Sequence, residues 1–317
     1  MKSKFDRRRV AQTVLWLRLS QMVINEAYKS GMFKVPIHLA FGHEAMAAAL
    51  AYALRPEDKV LLTHRNIAYN LARAYRPRYV SAILRSFLHE YMLRPTGLAR
   101  GRCGSMNLTH PSVGIMYTSS ILGNQFSVAC GVALGKQVRG EKGVVVVMGG
   151  DGSIEEGAFY ESLLFAKSVK LPILFLIENN EWSMHTHITE RRTPIALGPL
   201  CASLAIPFVS LAGNNVFLYC EKLVAMRKKV QQLGMPLCVE VAVKTLGDWY
   251  DYKNPQHPKG KWVKYHVGAS PSVSLSAWPL LQQHADDPVF VLSKLLPLST
   301  IQKEAAALFN RLQRVTP

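Results

Sequence analysis

The chain has 317 residues, 49% hydrophobic and 19% charged, with 38 Lys and Arg against 21 Asp and Glu for a formal charge of +17. That length suits about two average domains or one large α/β unit, and the apolar share excludes a disordered chain. The positive charge invites a nucleic-acid or membrane reading. It is spread out, however, with Lys2–Arg9 and Lys253–Lys264 as the denser stretches, and no basic stripe interleaved with aromatics, zinc-finger spacing or RNA-binding signature occurs. No nucleic-acid partner is expected.

The first residues are basic but lack an apolar core segment and a cleavage site, so no secretory signal is expected. A transit peptide is the alternative reading of so few acidic residues, although the pattern runs straight into apparent domain sequence. Val10, Val14, Leu15, Leu17 and Val23 predict an amphipathic helix, the start of an N-terminal helical arm over 1–40. No run of about 18 apolar residues is present, which predicts no membrane span and a soluble, cytoplasmic chain. Cys103, Cys130, Cys201, Cys220 and Cys238 form no C-x-x-C pair. Buried or incidental thiols in a reducing compartment are expected.

Further along, FGHEAMAAALAYAL (41–54) predicts a buried helix and DKVLLT (58–63) a short buried strand. Residues 91–119, rich in Gly, Pro, Ser and Arg, read as a long functional loop. Then follow a helix over 121–136, the all-apolar strand GVVVVM (143–148), GGDG, a helix opened by Ser153, and a second buried strand over 173–177. A strand over 206–211, a helix over 219–233 and a strand over 237–243 continue the alternation, an irregular stretch occupies 246–275, and helices over 276–294 and 299–314 close the chain. Alternation of this kind means an α/β fold with a mostly parallel sheet between helical layers. It is read as one domain over 1–317, with 246–317 as a loop and C-terminal helical appendage.

Ligands of such sheets bind at the carboxyl ends of strands. Two strands here end in unusual polar groups: Gly150-Asp151-Gly152-Ser153 and Asn179-Asn180. Glycines let backbone amides approach a phosphate, and a helix N-terminus adds donors. Asp151 and Asn180 offer hard oxygens that suit Mg²⁺. The residues therefore point to a magnesium–diphosphate site.

GDG followed by NN, with strand–helix–strand between, resembles the thiamine-diphosphate signature. GRCGSMNL (101–108) is similar to the GKGGSMH-type segment of the alpha subunits of 2-oxo acid dehydrogenases of the pyruvate, acetoin and branched-chain type. HLAFGHEAMAAAL (38–50) resembles their HLSxGQEA, THRNIAYNLAR (63–73) their THRGHGHxLA, and SILGNQFSVACGVAL (120–134) their GIVGAQxPxAxGxAL. GDGSIEEGAFYESLLFAKSVKLPILFLIENN (150–180) is similar over its whole length, and weaker likeness runs on to 292. Transketolases share the GDG and NN core, but GRCGSM and the N-terminal helix favour the dehydrogenase group. The resemblance implies the three-layer αβα thiamine-diphosphate-binding fold with helical extensions at both ends.

It also implies roles. Asp151, Asn180 and the Trp182 carbonyl would bind Mg²⁺. His64, Arg65, Gly150, Gly152 and Ser153 would hold the diphosphate, with His64 also the catalytic candidate, and Ser120 and Leu122 would face the aminopyrimidine. The pattern breaks where Ile67 stands for the histidine of THRGH and where TLGDWYDYK (245–253) aligns Trp249 with a histidine of the HGHS loop. Asn107 replaces the histidine of GSMH, and Gly213-Asn214-Asn215 stands for GxD. His257, Lys253, Lys259 and Lys261 are alternative partners for the diphosphate. His185 and His187 form an H-x-H that could bind metal, although solvated loop histidines are the simpler reading.

The glutamate that activates the aminopyrimidine belongs, in the family resembled, to a second pyrimidine-binding module. The resemblance thus implies a beta-type partner subunit in a heterotetramer, a 2-oxo acid substrate, and an acyl carrier or lipoyl-type acceptor. Glu155 and Glu156 read as helix N-terminal charges, and Glu44 as an interface or capping residue. The expected function is decarboxylation of a 2-oxo acid and transfer of the acyl or aldehyde unit. A catalytically degenerate, partner-binding or regulatory subunit and a split transketolase-like N-terminal half are the alternatives. Loss of the two histidines predicts an acceptor other than that of the central multienzyme complexes.

Overall fold

The computed structural model describes residues 6–253 and 259–315. His257 and part of the basic N-terminal cluster lie outside the described residues. In chain order the elements are α1 (Arg7–Lys29), α2 (Glu44–Ala53), β1 (Lys59–Thr63), α3 (Ile67–Ala74), α4 (Val80–Tyr91), β2 (Ile115–Ser119), α5 (Asn124–Val138) and β3 (Val145–Gly150). Next come α6 (Gly157–Ser168), β4 (Ile173–Asn179), the two-residue strands β5 (Trp182–Ser183) and β6 (Thr186–His187), α7 (Ile188–Arg191), α8 (Leu197–Ser203), β7 (Phe208–Leu211) and α9 (Val216–Leu233). The chain ends with β8 (Leu237–Ala242), a hairpin of β9 (Trp249–Asp251) and β10 (Lys261–Val263), α10 (Pro288–Leu295) and α11 (Leu298–Leu312).

Six strands form one sheet in the order β2-β1-β3-β4-β8-β7, and every neighbouring pair is parallel. The strand period of two sorts its side chains between two cores. Val60, Val146, Met148, Leu174, Leu176 and Val239 pack under α1, α2, α3 and α9. Leu61, Val145, Val147, Phe175 and Ile177 pack on the other face, against Phe126 and Ala129 of α5, Phe159 and Leu163 of α6, and Cys201 of α8. The three-layer expectation holds. Burial on both faces is why β3 carries no polar side chain: each aliphatic group contributes about 1.5–3 kcal/mol when removed from water.

The chain departs from the sequence expectations in four places. α1 is not an amphipathic arm. From Val10 to Asn25 every residue but Gln12 is buried, and the helix is wedged between α2, α10 and α11. Its buried Arg18 explains how such a helix tolerates a charge: Nε donates to Glu44 Oε1 at 2.6 Å and Nη2 to Asp287 Oδ1 at 2.9 Å. Glu44 therefore belongs to an interior ion triad, with Oε2 also accepting from the Gly42 N–H at 2.8 Å. Second, the loop expected over 91–119 contains β2, an edge strand whose polar surroundings masked it. Third, Ser153 opens only a short 3-10 turn, and α6 begins at Gly157. Fourth, residues 276–287 are not helical, and α10 starts where Asp287 caps it by accepting from the Val289 N–H at 2.8 Å. Among the described residues, no helix is long and apolar enough to cross a membrane. The five cysteines are free, four of them buried.

Candidate active site

The strand order reverses direction between β1 and β3: β2 lies beyond β1 on one side, and β4, β8 and β7 follow β3 on the other. Loops leaving the carboxyl ends of the two central strands diverge at such a point and open a crevice. A cavity of about 320 Å³ occupies it. Its walls include His64 and Arg65 after β1, Ser120 and Leu122 after β2, Gly150 to Ser153 at the end of β3, and Asn180 and Trp182 after β4. All the cofactor- and metal-holding residues expected from the sequence are thus brought together.

Glycine at 149 and 152 is a packing requirement. A Cβ on Gly149 would stand 2.5 Å from Cζ of Phe126, and one on Gly152 would stand 2.9 Å from Oγ of Ser183. Asp151 is 1% exposed. Burial pushes its carboxyl above the usual range, opposed by the guanidinium of Arg191, whose Nη2 donates to Oδ2. Arg191 also grips Glu155 through Nη1, and Arg192 Nε donates to the same carboxylate at 2.9 Å. Glu155 thus answers two arginines, while Glu156 stands at the N-cap of α6. The paired asparagines diverge. Asn179 Nδ2 donates to Glu240 at 2.9 Å, whereas Asn180 accepts from the Trp182 N–H at 3.1 Å and lines the cavity.

Arg65 is buried, with Nη1 on the Leu39 carbonyl and Nη2 on the His266 carbonyl at 3.1 Å. Around it stand three histidines, His38, His64 and His266, with ring centroids 4.6 and 5.0 Å from His38 to the other two. Burial first, and then the Arg65 charge, lower their pKa values to about 2 for His38, about 3 for His64 and about 4 for His266. All three are neutral near pH 7, each offering one N–H and one lone pair. Their ligand nitrogens lie within 4.8 Å of one another, but the guanidinium 3.5 Å from His266 Nδ1 opposes a cation there and favours an anion.

His266 and His38 line the cavity, and the sequence reading gave neither a role. The loop alignment put Trp249 in a histidine's place, but Trp249 lies on β9, outside the cavity lining, and His266 enters the cavity instead. Treating β9–β10 as an insertion is the signal that would have found it. Ile67, by contrast, is a core residue at the start of α3, with 3% exposure. Lys253, Lys259 and Lys261 are exposed and absent from the cavity lining, and Lys264 pairs with Asp248 at 2.8 Å. Asn107 is exposed as well. His185 sits in the turn between β5 and β6, while His187 caps α7 through Thr189.

Two supports behind the cavity also escaped the sequence. Glu90, buried in α4, accepts the N–H groups of Ala99 (2.7 Å), Gly101 (2.9 Å), Cys103 (2.9 Å) and Gly104 (3.2 Å), stapling the GRCGSM segment that presents Met106. Glu178 accepts from the Tyr69 hydroxyl at 2.6 Å and lies 3.1 Å from His43 Nδ1.

The residues fit a metal–diphosphate group. Asp151 and Asn180 supply oxygen donors, Arg65 a buried cation, and His38 a buried Nδ1 with no hydrogen-bond partner among the described residues. An orphaned buried polar atom at the wall of a cavity is an unmet demand for a ligand.

Residues 11–242 match the dehydrogenase E1 component family. The chain is 26% identical over 254 residues to the alpha subunit of an acetoin:2,6-dichlorophenolindophenol oxidoreductase of Bacillus subtilis, covering 80% of this chain and 72% of that one. It is 30% identical over 204 residues to the alpha subunit of a pyruvate dehydrogenase E1 component of Zymomonas mobilis, covering 64% of this chain and 56% of that one. A transketolase structure from Campylobacter jejuni superposes on 98% of the chain with a TM-score of 0.54 at 15% identity. Its match covers 49% of the transketolase, so the present chain corresponds to about half of it.

Proposed function

The chain belongs to the dehydrogenase E1 component family, and from that premise we propose that it is the alpha-type subunit of a thiamine-diphosphate enzyme. In this reading the enzyme decarboxylates a 2-oxo acid in the cytoplasm and passes the acyl or aldehyde unit to an acceptor. The observation that carries the reading is the convergence of GDG, Asn180, the His64–Arg65 pair and Ser120–Leu122 on one cavity at the sheet's switch point.

Asp151, Asn180 and the Trp182 carbonyl would hold Mg²⁺, the ion suited to a mixed oxygen set completed by phosphate. Gly152 and Ser153 would present backbone N–H groups to the diphosphate, and Arg65 would balance its charge from a fixed position. When bound, the cofactor supplies a carbon nucleophile and stores the electron pair left by loss of CO₂. His38, His64 and His266 remain neutral, so each offers one N–H donor and one lone pair for hydrogen bonds within the cavity. Leu62, Met106 and Met148 supply apolar wall that keeps water from the reacting centre. Because His266 restores a histidine to the cavity, the loss inferred at Trp249 no longer argues for an unusual acceptor.

Two observations support a second chain at this site. The only carboxylates lining the cavity among the described residues are Asp151 and Glu178, and both are engaged, by Arg191 and by Tyr69. Neither is free to protonate an aminopyrimidine. Ile121 and Leu122, 66% and 40% exposed, stand beside the opening. A beta-type subunit that covers them and contributes the missing glutamate completes the reading, with a lipoyl-type carrier as the acceptor class. Calorimetry of the chain with such a partner tests it: Mg²⁺-dependent binding of thiamine diphosphate is expected, and no binding refutes it.

A further inference from the structure

Asn180 can serve a metal only if its amide oxygen, and not its nitrogen, faces the cavity. The orientation is dictated by a chain of groups reaching well behind the site. The Trp182 N–H can only donate, so the atom 3.1 Å from it is Oδ1. Nδ2 then faces Thr245 and donates to Oγ1 at 2.9 Å. Thr245 has one hydroxyl proton, and the neighbour that can receive it is His43 Nε2 at 3.0 Å. An Nε2 that accepts leaves the imidazole proton on Nδ1. That atom lies 3.1 Å from Glu178 Oε2, a charge contact without a hydrogen bond. The other oxygen of Glu178 takes the Tyr69 hydroxyl at 2.6 Å. With the Thr245 proton on His43 Nε2, Asn180 turns Nδ2 to Thr245 and Oδ1 to the Trp182 N–H.

The chain is built from separate elements: α3 carries Tyr69, β4 ends in Glu178 and Asn179, His43 caps α2, and Thr245 follows β8. Tyr69 is 3%, His43 3% and Thr245 3% exposed, so water does not compete for these bonds. Burial, followed by the Glu178 charge, holds the Tyr69 hydroxyl well above its ordinary pKa and keeps it a donor.

We propose that His43 is a positioning residue: in its Nδ1–H tautomer it receives the Thr245 proton at Nε2, sets Thr245 as an acceptor and thereby aims the Asn180 oxygen at the metal position. The proposal rests on the reading of Asn180 as a metal ligand. It also accounts for a departure in the sequence, since His43 stands where the segment HLSxGQEA carries Gln. A carboxamide offers one donating and one accepting end, the same polarity as an Nδ1–H imidazole, so the two residues can do the same work.

Two measurements on the full chain test this. In the first, Mn²⁺ binding by the chain together with a beta-type partner, in the presence of thiamine diphosphate, is followed by electron paramagnetic resonance. His43→Leu and Thr245→Val are expected to weaken it about 10- to 100-fold, the range for loss of a group that orients a metal ligand. His43→Gln and Thr245→Ser are expected to keep the wild-type affinity. In the second, long-range proton–nitrogen NMR of the cofactor-free chain is expected to show the His43 proton on Nδ1. Unchanged Mn²⁺ affinity in both disabling variants overturns the positioning role, as does an Nε2–H tautomer. Failure of the wild-type chain with its partner to bind Mn²⁺ while His43 shows the Nδ1–H form overturns instead the metal reading of Asn180. Should His43→Leu not fold, Thr245→Val and the tautomer decide the matter.

Discussion

The guanidinium of Arg191 rests on the carboxylate of Asp151, donating from Nη2 to Oδ2, while its Nη1 holds Glu155. Asp151 lies almost wholly out of water and needs a cation beside it to remain ionised. Arg191 and a divalent metal therefore make competing demands on one carboxylate. Removing the arginine should favour the metal: a charge-assisted hydrogen bond of about 1.5–3 kcal/mol no longer has to be broken. Arg191→Gln is expected to bind Mn²⁺ about tenfold more tightly, measured by calorimetry with thiamine diphosphate present. Equal binding would contradict the competition, and weaker binding would show that Arg191 assists the metal.

The three cavity histidines make stability depend on pH. Their folded pKa values of about 2, 3 and 4 lie below the ordinary value of 6.5, so below pH 6.5 the unfolded chain binds more protons than the folded one. Stability is complete above that value and falls as acid is added, by roughly 1 kcal/mol per histidine for each pH unit, down to where the folded state itself takes up protons. Urea unfolding at a series of pH values is expected to show this slope, and His266→Gln should reduce it by about one proton. A pH-independent midpoint would contradict the burial of these rings.

Arg18 holds two buried carboxylates, Glu44 and Asp287, and all three side chains are shut off from solvent. Arg18→Leu leaves both acids unpaired in the core. The expected cost is about 3–5 kcal/mol, the range for breaking a buried ion pair from one side. Asp287 also accepts from the N–H groups of Leu281 and Gln282 at 2.8 and 3.0 Å, so the C-terminal helices should loosen together with α1. Hydrogen exchange reads both elements, and protection lost in only one would contradict a shared anchor.

Glu90→Gln keeps the shape of the loop staple and removes one of its two oxygens. Two of the four backbone N–H groups then lose their acceptor, each worth about 1–3 kcal/mol when buried. Proteolysis within residues 94–104 is expected to accelerate while the rest of the chain resists. Uniform resistance would show that the loop is held by other contacts.

Much of this architecture was legible in the sequence. Unbroken apolar runs made β3 and β4 readable, and the polar residues at their ends pointed to the site, because a magnesium–diphosphate group constrains both residue type and spacing. The buried α1 was not legible, since Arg18, Gln21 and Asn25 look like a solvated stripe until their partners, Glu44 and Ser270 among them, are known. His266 was hidden by the β9–β10 hairpin, which moves the cavity residue along the chain from Trp249. Glu90 and His43 act through contacts with distant segments, and no local pattern announces those. Of the formal +17, Arg65 faces the cavity and Arg18, Arg191 and Arg227 answer acidic partners. The lysines of the hairpin are exposed and do not line the cavity.

The central claim is that this chain holds the diphosphate and metal half of a cofactor site that a second chain completes. Titration calorimetry of thiamine diphosphate into the chain together with a beta-type partner tests it most directly. Saturable binding that requires Mg²⁺ and is lost in Asp151→Ala is predicted. Binding that is indifferent to Mg²⁺ and unchanged by Asp151→Ala would contradict it.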